Sequence, residues 1–395
     1  MFIDRAATDA AERCLYCPKM CRFACPVACE SARETLTPWG KMSLVSLTLS
    51  GRGDASLPSA LEAVARKARA LFDGGASRPL DADLAEVFYA CSGCLRCRTW
   101  CEHDNDVPHA LFQARAAAAE HGLAPAGARA VVDRFARQGH PQLSDVARAL
   151  EPLAQDKAAQ PGSTSVLFAG CEAPVSSPGA VRATLRAARR LHAPLALATE
   201  PLCCGRPLFE AGYRDEFKEQ VALAWERLGD REVVTLSASC ARALSEWARE
   251  VGVEPRGPVV HATTYLARRL GPDVQAPPLP VRVAYHYPCQ LGRGLGEYEA
   301  PRRLLEAALE GGVVEAPSCR EKSDCCGGGG LLPDTYPEVA RAMAMSRADE
   351  LRSTGAARVA TACPSCRATL SAAGLEVVDV VELVADWLCG PDGEA

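Results

Sequence analysis

The chain has 395 residues, 20 cysteines and a formal charge of −5, with both signs of charge scattered along it. Such a length accommodates roughly two or three domains that each bury a core, so disulfides are not needed for stability. No basic stripe suits a nucleic acid, no apolar run nears the ~18 residues of a membrane helix, and Met1–Arg13 does not resemble a signal peptide. The expected setting is therefore the reduced cytoplasm, where clustered cysteines are metal ligands. Peripheral contact with the inner face of a membrane is compatible with this.

Two cysteine blocks come first, Cys14 to Cys29 and Cys91 to Cys101. Between them, Ser59 to Phe72 has apolar residues at helical spacing, with Ser59 and Glu62 placed as a capping box. A second helix is expected over Ala82–Tyr89 and a third, Ala-rich, over His109–Glu120, interrupted afterwards by Pro125 and Gly127. The Gln, Pro, Gly and Ser content of Pro152–Ser165 marks a domain boundary.

From there short β-branched runs alternate with helical runs, the pattern of a parallel sheet. The expected strands are Ser165–Ala169, Leu195–Thr199, Glu232–Leu236, Val281–His286, Val313–Ala316 and Arg358–Ala362. The Pro-rich linker Gly271–Pro280 splits the region, and Asp379, Glu382 and Asp386 break up the apolar stretch Val377–Leu388. The expected architecture is α+β and α/β. A helical module over residues 1–150 precedes two pseudo-repeated α/β cysteine-rich domains over 163–275 and 280–395.

The cysteine spacing carries the chemistry. Cys14-x2-Cys17-x3-Cys21-x3-Cys25-Pro26 and Cys91-x2-Cys94-x2-Cys97-x3-Cys101 form a matched pair. The second has the spacing of two-cluster bacterial ferredoxins and the first carries one extra residue. Three cysteines on a tight loop wrap one face of a cubane while the fourth points at the neighbouring cluster. On that logic Cys14, Cys17, Cys21 and Cys101 hold one [4Fe–4S] cluster, and Cys25, Cys91, Cys94 and Cys97 hold another. Four-cysteine zinc sites are the competing reading, but zinc sites favour two Cys pairs over three plus one. Cys29 falls outside the motif as a spare thiol.

The two halves of the C-terminal region share three landmarks in the same order. Cys171 parallels Cys289, Cys203-Cys204-Gly205 parallels Cys325-Cys326-Gly327, and Cys240 parallels Cys366. Ser237 stands where the second half has Cys363, so the first half carries four thiols and the second five. Adjacent thiolates beside a glycine let the backbone come close and let one sulfur bridge metals. The run Gly327–Gly330 lacks the Lys-Ser/Thr of a phosphate loop and is read as close passage of the chain. His286 is either a tuning hydrogen-bond partner or a satisfied core histidine. Cys319 and Cys389 read as small buried residues, and Arg96 and Arg98 beside Cys97 as a solvated face by default, with an offset to cluster charge as the alternative.

With Cys, Cys-Cys-Gly and Cys-Pro-Ser-Cys in this order, the chain resembles the heterodisulfide reductase-like family of cysteine-rich iron–sulfur proteins. That family includes lactate-utilisation proteins and the iron–sulfur subunits of glycolate oxidase and of anaerobic glycerol-3-phosphate dehydrogenase. The resemblance spans essentially the whole chain. It implies a noncubane [4Fe–4S] cluster on Cys289, Cys325, Cys326, Cys363 and Cys366, behind a fused two-cluster ferredoxin-type module. For Cys171, Cys203, Cys204 and Cys240 three readings stay open: a fourth cluster, a zinc ion, or a vestige that only packs.

The function expected first is an iron–sulfur electron-transfer subunit of an oxidoreductase. No dinucleotide fingerprint follows a strand, which favours a substrate site on a partner. The resemblance implies that this partner is a FAD-dependent dehydrogenase of 2-hydroxy acids or glycerol-3-phosphate, or another flavoprotein, with a quinone-reducing membrane protein as a further candidate partner. The alternative is the catalytic subunit of a heterodisulfide reductase that works through the noncubane cluster. A zinc-bound, colourless scaffold is the non-redox third.

Overall fold

The computed structural model describes residues 3–17, 19–49, 80–272, 274 and 276–390. The helix expected over Ser59–Phe72 lies outside them. The N-terminal part is helical. Arg5–Leu15 is capped by the Asp4 side chain, and Ala82–Tyr89 by the Asp81 side chain. Val107–Glu120 is capped by Asp106 and carries Pro108 in its first turn, where no N–H is missed. Pro125, expected to interrupt a helix, instead stands at the N-terminus of the next one, Ala126–Gln138. The helix Val146–Ala154 runs into the expected boundary and contains Pro152.

Two parallel sheets follow, each with four strands among the described residues. The first comprises β1 (Ser165–Phe168), β2 (Ala196–Leu197), β3 (Glu232–Thr235) and β4 (Val259–His261), in the order β2-β1-β3-β4. The second comprises β5 (Val283–His286), β6 (Val313–Val314), β7 (Arg358–Thr361) and β8 (Val377–Asp379), in the order β6-β5-β7-β8. Substituting β5 for β1, β6 for β2 and so on turns one order into the other, so the sequence repeat is a structural repeat. The register agrees: Ser165 pairs Glu232 across β1–β3, and Val283 pairs Arg358 across β5–β7. The central strands β1 and β5 are buried along their whole length, as parallel strands covered on both faces must be.

In each sheet the chain leaves the first strand toward one neighbour and later returns on its other side. The point where strand order reverses, at the carboxyl ends of the strands, is where open α/β sheets form a crevice. Cys171 follows β1, Cys203 and Cys204 follow β2, and Cys240 follows β3. Cys289, Cys325 with Cys326, and Cys363 with Cys366 follow β5, β6 and β7 in the same way. The fold therefore gathers each set at one sheet edge without any single segment having to hold it.

Candidate metal centres

All 20 cysteines are free thiols. The N-terminal ones fall into two neighbouring groups. Cys14 lies among Cys17 and Cys101, and Cys21 among Cys14, Cys17, Cys101 and Cys25. Cys97 lies among Cys25, Cys94, Cys91 and Cys21. The structure thus brings Cys101 to the first loop and Cys25 to the second. A small pocket is lined by Cys25, Cys91, Cys94 and Cys97 together with Lys41, whose side chain is buried. Cys29 is exposed, its thiol 3.6 Å from the Phe23 carbonyl, apart from both groups.

Burial pushes the Cys14 thiol up to about 11 and the Cys21 thiol up to about 12, and drives Cys97 well above its ordinary range. Four thiols facing one cavity with no disulfide among them form a donor set for a soft, positively charged metal core, which deprotonates its ligands. Donors already face these sulfurs: Asn105 Nδ2 lies 3.4 Å from Cys14 Sγ, and the Gly93 N–H lies 3.4 Å from Cys91 Sγ. The residues fit the group expected of them.

In the second repeat Cys326 Sγ lies 3.5 Å from Cys366 Sγ, and Cys363 packs in the same buried cluster. Hydrogen bonds from Cys325 and Cys366 hold the Cys326 thiol well below its ordinary range, with His286 adding to them. His286 is buried, and one of its ring nitrogens lies within 4.8 Å of both Cys326 and Cys366 Sγ. Its Nδ1 accepts from Arg347 Nε at 3.2 Å. It is both a satisfied core histidine and a neighbour of the thiols. Gly327 adopts φ +87°, and a Cβ there would meet the Ala340 carbonyl oxygen at 2.6 Å. Gly328 faces Thr369, while Gly329 and Gly330 press on the second cysteine loop, where the Ser92 carbonyl oxygen would lie 2.8 Å from a Cβ on Gly329. Close passage of the chain is thus the role of these glycines, and the last two pass the backbone of the second cysteine loop.

The first repeat repeats this geometry with one thiol fewer. Cys171 Sγ lies 3.5 Å from Cys203 Sγ, and Cys204 Sγ lies 3.3 Å from Cys240 Sγ. Bonds from Cys203 and Cys240 hold Cys204 well below its ordinary range, the counterpart of Cys326. A small pocket is lined by all four thiols, with Ser237, Gln142 and Arg206 in its wall. Arg206 pairs with the buried Glu210 at 3.3 Å. This wall also contains Pro364, and Ser365 Oγ donates to Glu172 Oε2 at 2.5 Å, so the Cys363–Cys366 loop of the second repeat touches the first.

The third junction joins the N-terminal module to the second repeat. Cys25, Cys94 and Cys325 share one apolar cluster, with Cys289 packed against it. The hydrogen bond with Cys325 is the main cause that lowers the Cys94 thiol to about 5, against its burial. Cys325 Sγ lies 3.6 Å from Ser92 Oγ.

Three expectations need correction. Arg96 is not on a solvated face: it pairs with Asp324 at 2.6 Å and donates to the carbonyls of Ala24 and Lys322, because the cysteine loop is clamped against the second repeat. Arg98 does lie at the surface, paired with Asp104 and Asp106. Cys319 and Cys389 are partly exposed rather than buried, since both lie near the ends of their elements. The sequence reading missed Lys41, Asn105, Arg206 and Arg293 near the thiols. Only Arg206, directly after Cys-Cys-Gly, and Arg293, four residues after Cys289, carry a positional hint.

Comparison with known proteins agrees with this geometry. Residues 165–245 and 283–371 match the cysteine-rich (CCG) domain family. One of the subunits of dihydromethanophenazine:CoB–CoM heterodisulfide reductase from Methanosarcina barkeri is 30% identical over 317 residues, which cover 76% of this chain and 78% of that one. One of the subunits of the fumarate reductase (CoM/CoB) from Methanothermobacter marburgensis is 28% identical over 76% of this chain and 61% of its own length. Lactate utilization protein A from Shouchella clausii is 28% identical over 48% of this chain and 82% of its own length. No helix among the described residues is long and apolar enough to cross a membrane.

Proposed function

The chain belongs to the heterodisulfide reductase-like family of Cys-Cys-Gly iron–sulfur proteins, and from that premise we propose that it is an electron-transfer subunit that passes electrons along a line of thiolate-held centres. Residues 1–150 form the ferredoxin-type module, 163–275 the first cysteine-rich domain and 280–395 the second. Cys14, Cys17, Cys21 and Cys101 would hold one cubane cluster, and Cys25, Cys91, Cys94 and Cys97 the next. Cys289, Cys325, Cys326, Cys363 and Cys366 would hold a noncubane cluster. Cys171, Cys203, Cys204 and Cys240 would hold a fourth metal species, a cluster or zinc. Such clusters supply one-electron carriage.

The observation that carries the proposal is the contact of Cys94 with Cys325. It sets the thiols of a ferredoxin-type loop against those of the second repeat, so each set adjoins the next. The remaining thiols of the first repeat close the line through the Ser365–Glu172 contact. The chain carries no dinucleotide fingerprint of its own, so a flavoprotein dehydrogenase would deliver the electrons and a quinone-reducing protein is the candidate acceptor. The name of the relative from Methanosarcina barkeri favours a second reading, in which this chain cleaves a disulfide at the second repeat. Ser237 in place of a fifth thiol limits that chemistry to one site.

Purified without oxygen, the protein is expected to be brown, with iron and acid-labile sulfide for about three or four clusters. Replacing Cys363 and Cys366 together by serine should erase one electron paramagnetic resonance signal and spare the two cubane signals. A colourless, iron-free product would sink the proposal. Flavin in a co-purifying partner would favour electron transfer, and disulfide cleavage by the chain alone would favour the second reading.

A further inference from the structure

Arg293 stands where the thiols of the second ferredoxin-type loop meet those of the second repeat. It lies in the π-helical turn Gln290–Gly294 that begins directly after Cys289. Turns of this kind are rare and concentrate at functional sites. Its Nε donates to the Cys94 carbonyl at 2.7 Å, and its Nη1 donates to the carbonyls of Glu321 and Ser323 at 2.9 and 2.8 Å. The other terminal nitrogen, Nη2, is buried without a partner. All of its bonded acceptors are neutral carbonyl oxygens, so its charge is not neutralised by a carboxylate in hydrogen-bond contact. The thiols its charge faces are Cys94, Cys289 and Cys325. One belongs to the set of Cys25, Cys91, Cys94 and Cys97, and two to the second repeat.

The same turn ties the two parts a second time, since Gln290 Nε2 donates to the Gly93 carbonyl at 2.8 Å. The position equivalent to Arg293 in the first repeat, four residues after Cys171, is Val175. At this position only the second repeat carries a cation. An arginine keeps its charge at all working pH values, and its planar fork fixes the geometry.

We propose that Arg293 is a positioning residue for electron exchange between the centre on Cys25, Cys91, Cys94 and Cys97 and the centre on the second repeat. It holds Cys94 against the Cys325 segment and raises the reduction potential of both centres together. An electron held at either centre would add one negative charge near a buried cation that has no carboxylate in hydrogen-bond contact, which would favour the reduced state of both. The centre on Cys14, Cys17, Cys21 and Cys101 lies outside its reach. The inference rests on the ligand sets proposed above.

The test uses the full chain, purified anaerobically, with Arg293→Met, Arg293→Gln and Arg293→Lys. Redox titration followed by electron paramagnetic resonance reads each centre separately, and iron content is measured in parallel. The neutral variants are expected to lower the potentials of those two centres and leave the third unmoved, while Arg293→Lys restores most of the shift. Loss of only those two centres in both neutral variants, with iron retained in Arg293→Lys, supports the same role. Unshifted potentials in an iron-loaded neutral variant overturn it, as does loss of all three centres in Arg293→Lys, which would make the residue merely structural. Magnetic coupling between the two reduced centres in the unaltered protein checks their adjacency. Its absence would overturn the ligand assignment itself, an outcome distinct from failure of Arg293.

Discussion

Arg115 shows how much one side chain can organise. It is fully buried in the Val107–Glu120 helix, and its guanidinium donates to the carbonyls of Phe88, Glu210 and Gly330, each at 2.9 Å, and of Cys91 at 2.8 Å. These carbonyls belong to the N-terminal module, the first repeat and the second repeat, so the three parts share one cation. Nothing in an Ala-rich helical stretch announces this. The acceptors are backbone groups far apart in the chain, and only the folded arrangement brings them together. Truncating the side chain strands those carbonyls in a water-free interior, at about 1 kcal/mol or more for each. Arg115→Met is expected to destabilise the protein by about 3–5 kcal/mol, a large part of a typical folding free energy. Thermal denaturation of the anaerobic protein checks this, and a melting temperature unchanged by the substitution would contradict it.

Among the elements, the strands are legible where a β-branched run stands between helical runs, and six of the eight among the described residues lie where expected, each of them shorter. The two that were missed, β4 and β8, are edge strands of three residues each. β8 was hidden because Val377–Asp379 passes without a turn into the helix Val380–Cys389, so strand and helix merge into one apolar run. Asp379 makes the change of structure. Its side chain accepts from the Val381 N–H at 3.1 Å, and Glu382 answers by accepting from the Asp379 N–H at 2.9 Å, a reciprocal cap. The cap is nevertheless buried, its second carboxyl oxygen has no partner, and burial raises the carboxyl to about 7 in spite of the Val381 bond. In the unfolded chain the same group titrates near its ordinary value of about 3.9. Its contribution to stability is therefore complete below about pH 4 and is lost as pH rises to about 7. Asp379→Asn keeps the capping oxygen and removes the charge. The melting temperature of Asp379→Asn relative to the parent is expected to become more favourable between about pH 5 and pH 8. A difference that stays flat across that range would count against this account of the cap.

For the whole molecule, the candidate cysteine groups are legible in spacing, repeat and resemblance, while their arrangement in space is not. Spacing says which thiols share a loop. Which set meets which depends on how three modules pack, and that is governed by residues such as Arg293 and Gln290 that lie outside the motifs, and by the contact of Ser365 with Glu172, which the Cys-Pro-Ser-Cys motif does not announce. The packing also grades exposure. In the first set Cys17, Cys21 and Cys101 are partly open to solvent, and large apolar side chains beside them, Tyr16 and Phe23, are 90% and 82% exposed. In the next set Cys25, Cys94 and Cys97 are buried, as are Cys325, Cys326, Cys363 and Cys366 beyond it. If electrons travel this line, the first centre is its outer end, and a polar reagent too large to enter the core must reach it first. Exposure of the loaded protein to a hydrophilic iron chelator or to ferricyanide should destroy the centre proposed on Cys14, Cys17, Cys21 and Cys101 before the other two proposed centres. The decay of each resonance signal with time gives the order. Simultaneous loss of all three would mean that the modules open as one unit, and earlier loss of the second-repeat centre would place the open end of the line there instead.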